Sequence, residues 1–173
     1  AEAEKERAAF AAALPRIPKD FYWGSNSAAE VVAVAVPYLD GEIAYRKGDL
    51  ETAVRKLSEA VRLEDELKYD EPPAWAVPPR HALGAVLLEA KRPQEAEAVY
   101  REDLRKYPEN GWALRGLATA LGMRKEAAQA EAVEKRFEAA WIRASIELET
   151  SCLCVRKGRL DAPAPEALAE RGR

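Results

Sequence analysis

Apolar and polar residues along this chain recur with the spacing of helices rather than strands. Leu50, Ala53, Val54, Leu57, Ala60 and Val61 fall on one face of a helical wheel, while Glu51, Arg55, Lys56 and Glu59 fall on the other. Ala96, Val99, Tyr100 and Leu104 repeat the stripe, as do Val133, Phe137, Ala140, Trp141 and Ala144 near the far end. No stretch reads as a strand. The stop signals agree with the stripes. Ser27 and Glu30 have capping-box spacing, in which each side chain bonds the other's free backbone N–H. Gly48 makes a tight turn and Asp49 caps the next helix. Pro93 fits a first helical turn, where its missing N–H costs nothing. Pro108 to Gly111 is a turn by composition, and Pro72, Pro73, Pro78 and Pro79 crowd one helix start and predict a kink there. The pattern predicts helices over about 2–14, 26–47, 50–65, 73–90, 93–106, 110–122 and 125–149.

These helices come in pairs that align with one another. Segments beginning at Tyr38, His81 and Trp112 share glycines at Gly41, Gly84 and Gly116, 43 and then 32 residues apart. The shorter spacing is close to the tetratricopeptide period of about 34. The longer one contains a Pro-rich, charged insertion near 66–75. Each glycine is followed at the same distance by an alanine, Ala53, Ala96 or Ala128, so two small residues can let paired helices approach closely. With Ala60, Pro108 and Trp112 in place, residues 34–140 resemble the tetratricopeptide repeat family. Asp40 and Arg115 depart from it where a large apolar residue is usual, and Asp103 where a small one is. More loosely, DEPPAW, AEAVYREDL, PENGW and the terminal SCLC look like the C-terminal part of longer bacterial repeat proteins. On that likeness residues 2–14 would be the second helix of a repeat whose first helix lies upstream.

The resemblance implies an all-α fold, a right-handed stack of antiparallel helix pairs closed by a long C-terminal helix. It implies one repeat domain over 1–155, with units at 34–65, 77–108 and 109–140, and a mobile polar tail over 156–173. It also implies a protein-interaction scaffold, not an enzyme, that needs no cofactor and holds a protein or peptide on the first helices of its pairs. Tyr38, Glu42, Tyr45 and Arg46 would line that groove, with His81, Glu89 and Asn110 from the later units. Leu88, Leu117 and Leu121 read equally as groove contacts or as packing between helices. The Lys/Asn clamp by which one subclass grips a terminal carboxylate is absent, since its places hold Tyr38, Glu42, His81 and Ala85.

Three local features bear on chemistry. His81, the sole histidine, could approach Glu42 in an acid–base pair, but no nucleophile, phosphate loop or metal motif accompanies it. Cys152 and Cys154 could give two thiolates to a soft metal, or act as a redox pair; a zinc site needs four ligands. Thiols two apart on a helix point away from each other, so joint binding needs an extended chain there. Trp75 stands in the insertion, as a lid over the groove or a plug on a helix end.

Composition narrows the partner. The 173 residues carry 27 basic and 30 acidic side chains, a net charge of -3 without a basic patch, which argues against nucleic acid. No apolar run approaches the roughly 18 residues of a membrane helix. Residues 1–14 lack the apolar core of a signal peptide. The compartment is not legible, with the cytoplasm as the default. A homo-oligomerisation module within a longer chain is the remaining alternative.

Overall fold

A computed structural model describes residues 2–152 and 155. The expected tail, 156–173, lies outside the described residues. The chain divides into two compact units, Ala1–Leu83 and Gly84–Arg173. Among the described residues the architecture is mostly helical, with little strand.

The first unit opens with α1 (Glu2–Ala13) and a single 3-10 turn, Leu14–Arg16. An antiparallel ribbon follows, β1 (Tyr22–Trp23) against β2 (Asn26–Ser27). Then come α2 (Ala28–Arg46), α3 (Leu50–Asp65), a long loop over 66–78 and the start of α4 (Pro79–Glu89). Ser27 and Glu30 form the expected capping box at α2, and Asp49 accepts the Thr52 N–H at the head of α3. Gly41 and Leu57 are equidistant in sequence from Asp49, as partners in an antiparallel hairpin must be. They meet closely, for a Cβ on Gly41 would lie 2.7 Å from Leu57 Cγ. Val34, Ala53, Leu57 and Ala60 are fully buried around this contact, each large apolar side chain contributing about 1.5–3 kcal/mol. α1 buries no residue fully and is tied to α2 by ion pairs, Arg7 to Asp40 at 2.6 Å and Lys47 to Glu4 at 2.5 Å.

The second unit holds the rest of α4, then α5 (Pro93–Lys106), α6 (Gly111–Met123) and α7 (Ala127–Trp141). Gly84 and Tyr100 are equidistant from the turn at Arg92, Tyr100 and Gly116 from Pro108, and Arg115 and Phe137 from Glu126. Consecutive helices therefore run antiparallel. Tyr100 is the pivot: its ring lies against both Gly84 and Gly116, and it is fully buried. Leu114, Leu117 and Leu121 complete this core.

The expectations need four corrections. A short β-ribbon exists where no strand was expected. The helix expected over 73–90 begins only at Pro79, because each proline before it lacks the N–H a helix interior requires. The long C-terminal helix expected over 125–149 ends at Trp141. Beyond it the apolar stripe runs out, with Ile142 and Ile146 exposed, and the Trp141 indole donates to the Ile146 carbonyl at 2.9 Å as the chain turns back. Leu148, Thr150 and Ser151 are buried there instead, and Ser151 Oγ meets the Tyr100 hydroxyl at 2.5 Å. Lastly, Ala128, the third small residue of the repeat pattern, is exposed, whereas Ala53 and Ala96 are fully buried.

Candidate functional site

Two surfaces of the first unit are built in ways that packing alone does not require. One is the ribbon. Gly24 and Ser25 form its two-residue turn, and Gly24 takes φ +58°, as glycine does at the first central position of a type II′ hairpin. The Asp70 carboxylate accepts the Ser25 N–H at 3.0 Å and the Asn26 Nδ2–H at 2.8 Å. Asn26 is almost fully buried and pairs with the Lys68 backbone in both directions: its Nδ2 donates to the Lys68 carbonyl at 3.0 Å, and its Oδ1 accepts the Lys68 N–H at 2.7 Å. The turn is thus bolted to the loop over 66–78. A Cβ on Gly24 would strike the Asp70 carboxylate at 2.6 Å. What this frame displays is aromatic: Phe21, Tyr22 and Trp23 are 57%, 60% and 59% exposed, and Tyr69, beside Asp70, is 80% exposed. Phe21 and Tyr22 carried no expectation. The signal was present in the sequence, since three aromatics followed by Gly-Ser is a hairpin pattern.

The other surface lies on α2. Tyr38 and Glu42 are one helical turn apart, and Trp75 reaches Tyr38 from the loop over 66–78. The Tyr38 and Trp75 rings are 6.0 Å apart at 59°. Glu42 Oε1 and Trp75 Nε1 are both shut from solvent without a hydrogen-bond partner. Each such orphan costs about 1–3 kcal/mol. Burial pushes the Glu42 carboxyl above its ordinary value, against the nearby Arg46 charge. Burial, helped by the Glu42 charge, raises the Tyr38 hydroxyl to about 12.

The remaining expected site residues divide. Arg46 is exposed, its guanidinium 5.6 Å from the Tyr45 ring centre. Tyr45, His81 and Glu89 are 1%, 7% and 8% exposed, which makes them interior groups rather than open groove contacts. Leu88, Leu117 and Leu121 are likewise core. Asn110 serves as a cap: its side chain accepts the Trp112 N–H at 3.1 Å and donates to Asp103 Oδ2 at 3.0 Å. Cys152 is disulfide-bonded, so its sulfur has no thiolate to offer a metal in this state. Cys154 lies outside the described residues. Among the described residues no group of three or more His, Cys, Asp or Glu side chains is placed to hold a metal. No helix among them is long and apolar enough to cross a membrane.

A surface cleft of about 400 Å³ also opens where α1, α2 and α3 meet. Its charges are satisfied by one another or by neighbours, Arg7 with Asp40, Lys47 with Glu4, and Lys56 with Glu59 at 3.1 Å, which leaves little for a ligand.

Compared with known proteins, the chain matches no family model, no curated protein and no solved structure.

Proposed function

We propose that the chain is a tetratricopeptide-type interaction module that binds another protein or peptide without catalysis. The observation that carries the reading is the aromatic display at Phe21, Tyr22 and Trp23. Large aromatics left in water forgo the stabilisation that burial would give, and exposed apolar area of this kind is what a partner would cover. Tyrosine and tryptophan are also the residues that dominate binding energy once a partner buries them. Here the run sits on a turn fastened by Asn26 and Asp70, so little conformational freedom is lost on docking. The tetratricopeptide reading is supported by the glycine contacts, Gly41 on Leu57 and Gly84 and Gly116 on Tyr100. Exposed Ala128 makes the third unit its weakest part.

A photoreactive phenylalanine analogue placed at Trp23, and at exposed Arg55 as control, tests this in the source cell. A discrete adduct from position 23 alone, lost when Phe21→Ser and Tyr22→Ser are added, is the expected result. Equal, diffuse labelling from both positions would remove the reading. An adduct with a second copy of the chain would replace it with self-association.

A further inference from the structure

We infer that Tyr38, Glu42 and Trp75 form a receptor for a primary alkylammonium group, the side chain of a lysine on the bound partner. The inference rests on the interaction reading only for the partner's lysine as the source of that group. The cluster itself stands on its own geometry.

Three observations converge on one chemistry. Two aromatic rings lie 6.0 Å apart and inclined at 59°, and the face of an aromatic ring attracts a cation. A carboxylate stands one helical turn from the tyrosine, on the same side of α2. Within the cluster an acceptor, Glu42 Oε1, and a donor, Trp75 Nε1, are both buried and unmatched. Native proteins seldom leave such atoms unmatched, and a ligand is one reason for it. The mismatch also selects among cations. Glu42 Oε1 lacks a donor, and a primary ammonium brings three N–H groups whereas a quaternary one brings none. Trp75 Nε1 lacks an acceptor, which a backbone carbonyl beside a lysine would supply. Arg46, on the next turn of α2, does not fill the role: its guanidinium lies over the Tyr45 ring.

The loop that carries Trp75 is held at its near end by the Asn26 and Asp70 bonds, so the indole is positioned without bound ligand. Its Nε1–H is buried and unpartnered, so it is the group that would report arrival of a ligand.

The test is an NMR titration of the full chain, following the indole N–H signals of Trp23, Trp75, Trp112 and Trp141. The Trp75 signal is assigned by its loss in Trp75→Phe. The probes are n-butylammonium, tetramethylammonium and, as a neutral chain of similar length, 1-pentanol. The expected result is a saturable shift of the Trp75 signal with n-butylammonium in the millimolar range, at least tenfold weaker with tetramethylammonium and absent with pentanol. Glu42→Gln should weaken n-butylammonium binding at least tenfold while the other three indole signals stay in place. If Glu42→Gln disturbs those signals, Glu42→Asp, which keeps the charge but withdraws it, should show an intermediate loss. An equal response to pentanol, equal or tighter binding of tetramethylammonium, no loss in Glu42→Gln, or no shift at all would each overturn the inference. Failure here with a specific adduct at position 23 sinks the ammonium receptor alone. Binding here without that adduct keeps the receptor and sinks the interaction surface.

Discussion

Glycine does two different jobs in the same helix. Gly116 is held against the Tyr100 ring, whose other side meets Gly84 and whose hydroxyl is fixed on Ser151, so the ring has nowhere to retreat. Gly116→Ala is expected to cost about 1–3 kcal/mol of stability, as overpacking does. Gly122, nearer the end of α6, would give its Cβ open space. Gly122→Ala should instead stabilise by about 0.5–1 kcal/mol, the ordinary gain for alanine over glycine in a helix. Urea unfolding of both variants reads the opposite signs directly. The three residues that depart from the repeat pattern are equally specific. Asp40 pairs with Arg7; Arg115 pairs with Glu134 at 2.9 Å and lies 3.9 Å from the Phe137 ring centre; buried Asp103 accepts from Asn110. Charge stands in each place because a named partner from elsewhere meets it there.

At the level of elements, the ribbon depends on contacts made 42 to 45 residues away in sequence. Two residues per strand cannot hold a hairpin in water, so the loop over 66–78 must do so. Asn26→Ala removes both bonds to Lys68 and the bond to Asp70. It should cost about 1–3 kcal/mol and speed protease cleavage between Phe21 and Ser27, while the helices keep their far-ultraviolet signal. Undiminished protection would mean that the hairpin is held by something else. The start of α4 has a comparable fastening, a buried ion pair of Arg80 with Glu64 at 2.9 Å and a second of Arg80 with Asp65 at 2.5 Å. The helices themselves were legible because their stripes and caps are local. The shortened α4 and α7, and the ribbon, were not. Their ends depend on prolines that lack an N–H, on a tryptophan that turns the chain back, and on side chains distant in sequence.

For the whole molecule, acid should destabilise. Hydrogen bonds from Ser27, Thr52 and Ser25 hold Glu30, Asp49 and Asp70 below their ordinary values, and Arg136 does the same for Glu109. Burial pushes Glu97 up, but bonds from Arg101 and Arg124 outweigh it, and it too sits low. A carboxylate whose folded value is depressed stabilises the fold above its unfolded value, and that stability is lost as pH falls through the folded one. With ordinary values of 3.8 and 4.5, the melting temperature should begin to drop near pH 4.5 and keep falling below it. Glu42 has the opposite sign: its raised value favours the fold in acid, so it offsets part of the loss. Tyr38 acts at the alkaline end, where its stabilising proton is lost as pH rises from 10 through about 12. A melting curve that stayed flat between pH 5 and 3 would show that these bonds do not survive in solution.

By itself the sequence determined that the chain is mostly helical, where most helices begin, and that Gly41, Gly84 and Gly116 face neighbouring helices. These rest on spacing, capping and residue size, all local properties. Tertiary structure decided which polar side chains are interior, so that Tyr45, His81 and Glu89 left the surface while Tyr38 gained a ring contact with Trp75. It also decided that three aromatics would stand in water on a fastened turn. Burial and orphaned hydrogen bonds are set by what arrives from distant parts of the chain, and helical spacing carries no record of that.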